Sequence, residues 1–190
     1  MRSSASTPNP PERPIRLGVV VVGDDHPRKC TGRRLVRLGL ASEVATAAPP
    51  GDRPVVLDPY ADVPLSVADR DRAEAGGLVA VDCSWNRLSA RHATGLPRTA
   101  TVRGAVARRL PMLIATNPQH FGRPGELNTA EALAAALVLL GRPSEAEALL
   151  AGFAGGPAFF EVNRERLDRY ARARSPEELT LAERLAFAPR

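Results

Sequence analysis

An α/β fold closed by an all-helical C-terminal lobe is predicted by three observations. Short apolar runs at 17–22, 55–57 and 77–81 alternate with amphipathic or basic segments over the first two-thirds of the chain, as strands alternate with helices in a parallel sheet. From residue 128 onward the apolar spacing is helical and punctuated by Ser, Pro and Gly boundary signals. The run 77–81 ends abruptly in Asp82-Cys83-Ser84-Trp85, which includes the only tryptophan. A buried parallel strand that delivers polar groups at its carboxyl end marks the place where open α/β sheets bind ligands. An ordinary strand end beside a core tryptophan gives the same pattern.

In chain order, residues 1–14 hold Ser3, Ser4, Ser6, Thr7 and four prolines without apolar periodicity, and read as a disordered tail. Order begins at Arg16. Residues 17–22 form a buried strand, Asp24-Asp25-His26-Pro27 a turn, and 31–38 a helix with Leu35 and Leu38 roughly opposite Arg33, Arg34 and Arg37. Gly39 marks its end. A short strand follows at 55–57, and Ser66-Val67-Ala68-Asp69 opens a helix reaching about Ala75. Gly76-Gly77 ends that helix and launches the strand that closes on Asp82. Residues 86–106 have no clear period and read as an extended connection or a short helix. Leu110-Pro111-Met112-Leu113-Ile114-Ala115 reads as another buried strand, broken by Thr116-Asn117-Pro118. Four helices complete the chain: one over 129–140, one from a capping box at Ser144-Glu145-Ala146-Glu147 to Leu150, one from near Pro157 through Tyr170, and one opened by Ser175-Pro176 that reaches about Phe187. This divides the chain into a tail (1–14), an N-terminal α/β lobe (15–108), and a last strand with the helical lobe (109–190).

With 190 residues and 44% hydrophobic content, one domain of two lobes is expected. No apolar run reaches the ~18 residues needed to span a bilayer, and the first 14 residues lack a signal-type apolar core. A cytoplasmic protein without membrane contact, acting as a monomer, is expected. Cys30 and Cys83 match no metal or thioredoxin spacing and read as reduced and structural; His26, His92 and His120 are scattered, so no metal is assigned. The net charge of +5 is matched by one segment: Arg28, Lys29, Arg33, Arg34 and Arg37 lie between Asp25 and Glu43 with no acid among them. Lys29, Arg33, Arg34 and Arg37 are therefore candidate RNA phosphate contacts, a solvated helix face being the alternative.

Four segments together resemble a known family: His26-Pro27-Arg28-Lys29-Cys30-Thr31-Gly32-Arg33-Arg34-Leu35, Val81-Asp82-Cys83-Ser84-Trp85, Arg109-Leu110-Pro111 through Ala115-Thr116-Asn117-Pro118, and Gly122-Arg123-Pro124 through Leu127-Asn128-Thr129-Ala130-Glu131-Ala132. Their order and spacing, from about residue 16 to 178, are similar to those of the small-subunit rRNA aminocarboxypropyltransferases of ribosome biogenesis. The resemblance implies a SPOUT-like fold with a deep trefoil knot and binding of S-adenosylmethionine. It also implies transfer of the 3-amino-3-carboxypropyl group, and not the methyl, to a modified uridine of small-subunit rRNA. No Gly-x-Gly-x-x-Gly follows the first strand, which agrees with a different kind of nucleotide site.

Carried over residue by residue, the resemblance places cofactor contacts on Thr31, Val81, Leu110, Gly125 and Thr129. Thr31 and Thr129 are also candidate helix N-caps, and Val81 and Leu110 would be core in any fold. The transfer displaces a sulfonium leaving group that needs no acid, so positioning, worth on the order of 7–11 kcal/mol, is the main demand. Trp85 is the candidate cation–π wall for the sulfonium, with a core tryptophan as the alternative. Asp82 is the candidate catalytic carboxylate. Because a carboxylate is in general a weak base at pH 7, alignment of the uridine N–H is preferred to proton abstraction; a strand-end cap is the alternative. The chain departs from the family at Gly125, where an aromatic is usual. Gly155-Gly156-Pro157 stands for Trp-Gly-His, and His120-Phe121-Gly122 for Asn-Tyr-Gly. An RNA-binding assembly factor without transfer, or the same transfer on another RNA such as tRNA, are the rival functions.

Overall fold

A computed structural model of the chain describes residues 13–21, 30–44, 53–82, 102 and 104–188. Cys83, Ser84, Trp85, Lys29, His26 and His92 lie outside the described residues, as do residues 1–12 of the tail and nearly all of the connection expected over 86–106. The sheet runs in the order β2-β1-β4-β3-β5, with β1 at Leu17–Val21, β2 at Ser42–Glu43, β3 at Val55–Leu57, β4 at Leu78–Asp82 and β5 at Val106–Arg108. All four strand pairings are parallel, as the alternating pattern predicts. β2 and β5 escaped the sequence reading because their two and three residues carry no apolar run.

Period-two alternation sorts the strands into two layers. Leu17, Val19, Val55, Leu57, Leu78 and Ala80 face the main core, while Val20, Val56 and Val79 meet Val102 on the other side. In register, Val21 stands beside Asp82, so β1 and β4 end together. The helices are α1 (Thr31–Arg37), α2 (Arg70–Gly76), α3 (Thr129–Leu139), α4 (Pro143–Leu150), α5 (Gly156–Ala171) and α6 (Pro176–Ala186), with a 3-10 turn at Val67–Asp69 ahead of α2. α3 is apolar all round and buried at nine positions, which makes it the central helix. It packs on β4, α1, α4 and α5. One apolar cluster runs from Ile15 to Leu179, so residues on both sides of the 108/109 boundary share a core.

Two expectations are corrected. Residues 110–115 are not a strand: only the antiparallel bridge from Ile114 to Pro124 is sheet-like. The backbone groups of Met112 and Ile114 go to side chains of the C-terminal helices, while Leu113 and Ala115 pair with the backbone of residues 122–125. Met112 N–H donates to Glu183 Oε1 at 2.6 Å, and Met112 C=O accepts from the Tyr170 hydroxyl at 3.1 Å. Asn163 pairs with both Ile114 N–H (2.8 Å) and Ile114 C=O (2.9 Å), as a neighbouring strand would. The Ser144 capping box is not used either. α4 starts two residues earlier, with Arg142 at the N-cap and Pro143 at its first position, after Gly141 ends α3 at φ +77°. Among the described residues no helix is long and apolar enough to cross a membrane.

Candidate functional site

The carboxyl end of β4 is tied to the starts of two helices through one side chain. Asp82 Oδ2 accepts from the Cys30 thiol at 2.6 Å and from Gly32 N–H at 3.1 Å, and Asp82 Oδ1 accepts from the Thr129 hydroxyl. Three of the roughly four acceptor positions of the carboxylate are thus filled, leaving one on Oδ1. Thr129, the first residue of α3, is drawn to this point, and Thr31, the first of α1, lies between the two residues that bond Asp82 there. Neither is the N-cap. Cys30 caps α1, its sulfur accepting from Arg33 N–H at 3.3 Å, and Asn128 caps α3 in a reciprocal box with Glu131. The Thr31 hydroxyl has no partner among the described residues. Burial, reinforced by the hydrogen bond to Asp82, pushes the Cys30 pKa up to about 11 and keeps it a thiol.

Sequence reasoning passed over Gly32 and left Cys30 as merely structural. A Cβ on Gly32 would stand 2.7 Å from Asp82 Oδ2 and 2.7 Å from Val19, so only glycine lets α1 come this close. The signal was the Cys-Thr-Gly run at a helix start, matched to a carboxylate at a strand end. A further unflagged group is Glu131, 2% exposed, which accepts from Thr116 N–H (2.8 Å), Thr116 Oγ1 (2.9 Å), Asn117 Nδ2 (2.7 Å) and Asn128 N–H (2.9 Å). It fixes the end of the 110–117 segment to the first turn of α3, two residues from Thr129.

Of the other candidates, Val81 packs with the smaller apolar layer on the face opposite Asp82, and Leu110 packs against the main core. Gly125 lies on a hairpin-like loop, where its N–H donates to Leu113 C=O at 2.8 Å. Its φ is +76°, and a Cβ there would meet only Met112 Sδ at 3.2 Å. Gly155, another departure from the family pattern, has φ +81°, and a Cβ there would lie 2.3 Å from Thr116 C=O. Both positions favour glycine in this backbone. The hydrogen bonds bring Cys30, Gly32 and Thr129 to Asp82, with Thr31 between the first two in the chain; no contact places Leu110 or Gly125 against them.

Arg33 and Arg37 are exposed on α1. Arg34 is committed elsewhere: its guanidinium donates to Gly152 C=O at 2.8 Å and lies 4.8 Å over the Phe153 ring. An open groove of about 470 Å³ lined by Arg53, Asp71, Arg72 and Gly76 sits along α2 and contains none of the candidate residues. Among the described residues no His, Cys, Asp and Glu cluster could hold a metal ion.

Residues 55–186 match the family model described as "Ribosome biogenesis protein, C-terminal". Residues 15–47 match one described as a possible Fer4-like domain in RNase L inhibitor. That span contains one cysteine, Cys30, whereas an iron–sulfur cluster takes four thiolates, so its ligand chemistry is missing here. The chain is 47% identical over 159 residues to the 16S rRNA aminocarboxypropyltransferase of Methanopyrus kandleri, covering 82% of this chain and 89% of that one. It is 39% identical over 166 residues to the 18S rRNA aminocarboxypropyltransferase of Schizosaccharomyces pombe, a longer protein, covering 87% of this chain and 55% of that one. The solved structure of the SAM-dependent rRNA acp-transferase from Vulcanisaeta distributa is similar, with TM-score 0.73 and 39% identity over 87% of this chain and 88% of that one. With relatives this close over most of its length, the chain belongs to the 16S/18S rRNA aminocarboxypropyltransferase family.

Proposed function

We propose that this chain transfers the 3-amino-3-carboxypropyl group of S-adenosylmethionine to a uridine of small-subunit rRNA during ribosome maturation, at the junction of β4, α1 and α3. The observation that carries the reading is the convergence of the α1 start (Cys30 and Gly32, flanking Thr31) and Thr129 on Asp82, supported by relatives named for this transfer over more than 80% of the chain.

The residues present fit the cofactor. The unpartnered Thr31 hydroxyl suits its carboxylate, and the backbone groups of Val81 and Leu110 suit adenine and ribose. Gly125 leaves room above Met112 where an aromatic is usual in the family. S-adenosylmethionine supplies a carbon activated by the adjacent sulfonium, which leaves as a neutral thioether. In this reading the open acceptor position on Asp82 Oδ1 aligns the uridine N–H, and its proton passes to solvent as the new N–C bond forms. Trp85 walls the sulfonium, and Lys29, Arg33 and Arg37 hold phosphate. Arg34 supports them by fixing α1 to Gly152 and Phe153. A SPOUT-like trefoil knot belongs to the same proposal, supported by the parallel sheet with β4 between β1 and β3 and by the 110–117 segment held among α3, α5 and α6.

The test is incubation of small-subunit rRNA with S-adenosylmethionine labelled either in the methyl or in the carboxypropyl carbons, with tRNA as a competing acceptor. Carboxypropyl label in the rRNA is expected. Methyl label would refute the group assignment, label in tRNA the substrate, and tight RNA binding without label would make the chain an assembly factor.

A further inference from the structure

Phe121 is 69% exposed, the most exposed large apolar side chain among the described residues. A single exposed apolar residue is ordinary, but this one is held at the tip of a braced loop. Ala115 N–H donates to Arg123 C=O (3.0 Å), Gly122 N–H to Ala115 C=O (2.8 Å), Arg123 N–H to His120 C=O (3.0 Å) and His120 N–H to Asn117 Oδ1 (3.1 Å). Gly122, at φ +81°, turns the chain directly after the ring. The loop 116–125 contains no acid. The nearest, Glu126 at its foot, is hydrogen-bonded by His120 and by Arg123 (3.3 Å). Although partial desolvation opposes it, those two bonds hold its carboxyl below the usual range, so its charge is already paired. The Arg123 side chain is 62% exposed.

The loop and the basic helix share a support. Thr116 Oγ1, its one proton shared between Glu131 and Gly155 C=O (3.0 Å), and Arg34, which donates to Gly152 C=O, meet the same α4–α5 turn. A bare aromatic ring with Arg123 two residues on, in a loop that rests on the same turn as the basic helix, is the arrangement single-stranded RNA uses: bases stack on the ring and phosphates meet the cations.

We infer that Phe121 is a stacking platform for an unpaired base of the RNA substrate, with Arg123 on the adjoining phosphate. This rests on the reading of the chain as an RNA-modifying enzyme. A base–aromatic stack corresponds to about 5- to 150-fold in affinity. The test is anisotropy titration of a small-subunit rRNA fragment at several salt concentrations with full-length wild type, F121A, F121L, F121W and R123A, alongside calorimetric titration of S-adenosylmethionine and a melting curve for each.

F121A and F121L are expected to lose RNA affinity by that factor with unchanged salt slope, cofactor affinity and melting temperature, while F121W retains it. R123A is expected to reduce the salt slope by about one. F121A binding RNA as wild type does would overturn the inference, and so would F121L matching F121W, since apolar contact alone would then suffice. Wild type that fails to bind RNA at all would instead overturn the underlying function.

Discussion

Asp82 joins two roles that its two simplest substitutions separate. Asp82→Ala removes the acceptor for the Cys30 thiol, Gly32 N–H and the Thr129 hydroxyl together. Hydrogen bonds to a charged group net about 1.5–3 kcal/mol each, but the carboxylate is half-exposed and one donor is a thiol. At the low end the two conventional donors, Gly32 N–H and the Thr129 hydroxyl, contribute about 3 kcal/mol together, and the weak thiol donor adds little. For a chain of this size that lowers the melting temperature by about 6–12 °C. Asp82→Asn keeps an oxygen for Gly32 and Cys30 and can turn its amide toward Thr129, whose hydroxyl then accepts. Only charge assistance is lost, about 1 kcal/mol or ~2–4 °C. Scanning calorimetry measures both. Asp82→Ala melting within about 2 °C of wild type would refute the three-way tie. In the folded Asn variant, cofactor affinity should persist while transfer falls at least about tenfold, since the carboxylate no longer aligns the uridine N–H. Full transfer by that variant would reduce Asp82 to a structural tie.

Glu131→Gln places an amide N–H₂ among four donors, so urea unfolding should show a loss of about 2–5 kcal/mol; an unchanged midpoint would mean that Thr116 and Asn117 are held by something else. Stability should fall at alkaline pH. Burial raises Cys30 from 9.0 to about 11 and Tyr170, also facing the charge of Glu183, from 10.0 to about 12. Both contributions are complete below the unfolded values and lost as pH rises through the folded ones. Cys30→Ser, which keeps both cap bonds, should flatten the decline between pH 9 and 11 in denaturant titrations, and an unaltered slope would contradict this. Arg33→Ala with Arg37→Ala should weaken RNA binding and reduce its salt dependence at unchanged stability. Arg34→Ala should instead cost about 1 kcal/mol of stability through Gly152 and Phe153.

The helices and central strands were legible because they obey local rules: short continuous apolar runs in β1, β3 and β4, Ser175-Pro176 before α6, and Gly141 after α3. The 110–115 segment was misread for a physical reason. Its apolar run resembles a buried strand, and its hydrogen bonds are satisfied as a strand's would be, but by Glu183, Tyr170 and Asn163 from far along the chain and by the turn at 122–125. At the site, Asp82 was legible as a polar strand end and Thr31 and Thr129 as helix starts. Their meeting was not, because it depends on Gly32 allowing a close approach that no local pattern encodes. Arg34 looked equivalent to Arg33 on sequence, and only the turn at Gly152 separates them.

A crystal structure of the chain with S-adenosylmethionine bound tests the central claim most directly. The account predicts the cofactor's carboxylate at the Thr31 hydroxyl and the start of α1, with its sulfonium-linked carbon facing the open side of Asp82 Oδ1. A cofactor seated in the α2 groove beside Arg53, Asp71 and Arg72, or anywhere clear of Thr31, Asp82 and Thr129, would contradict it.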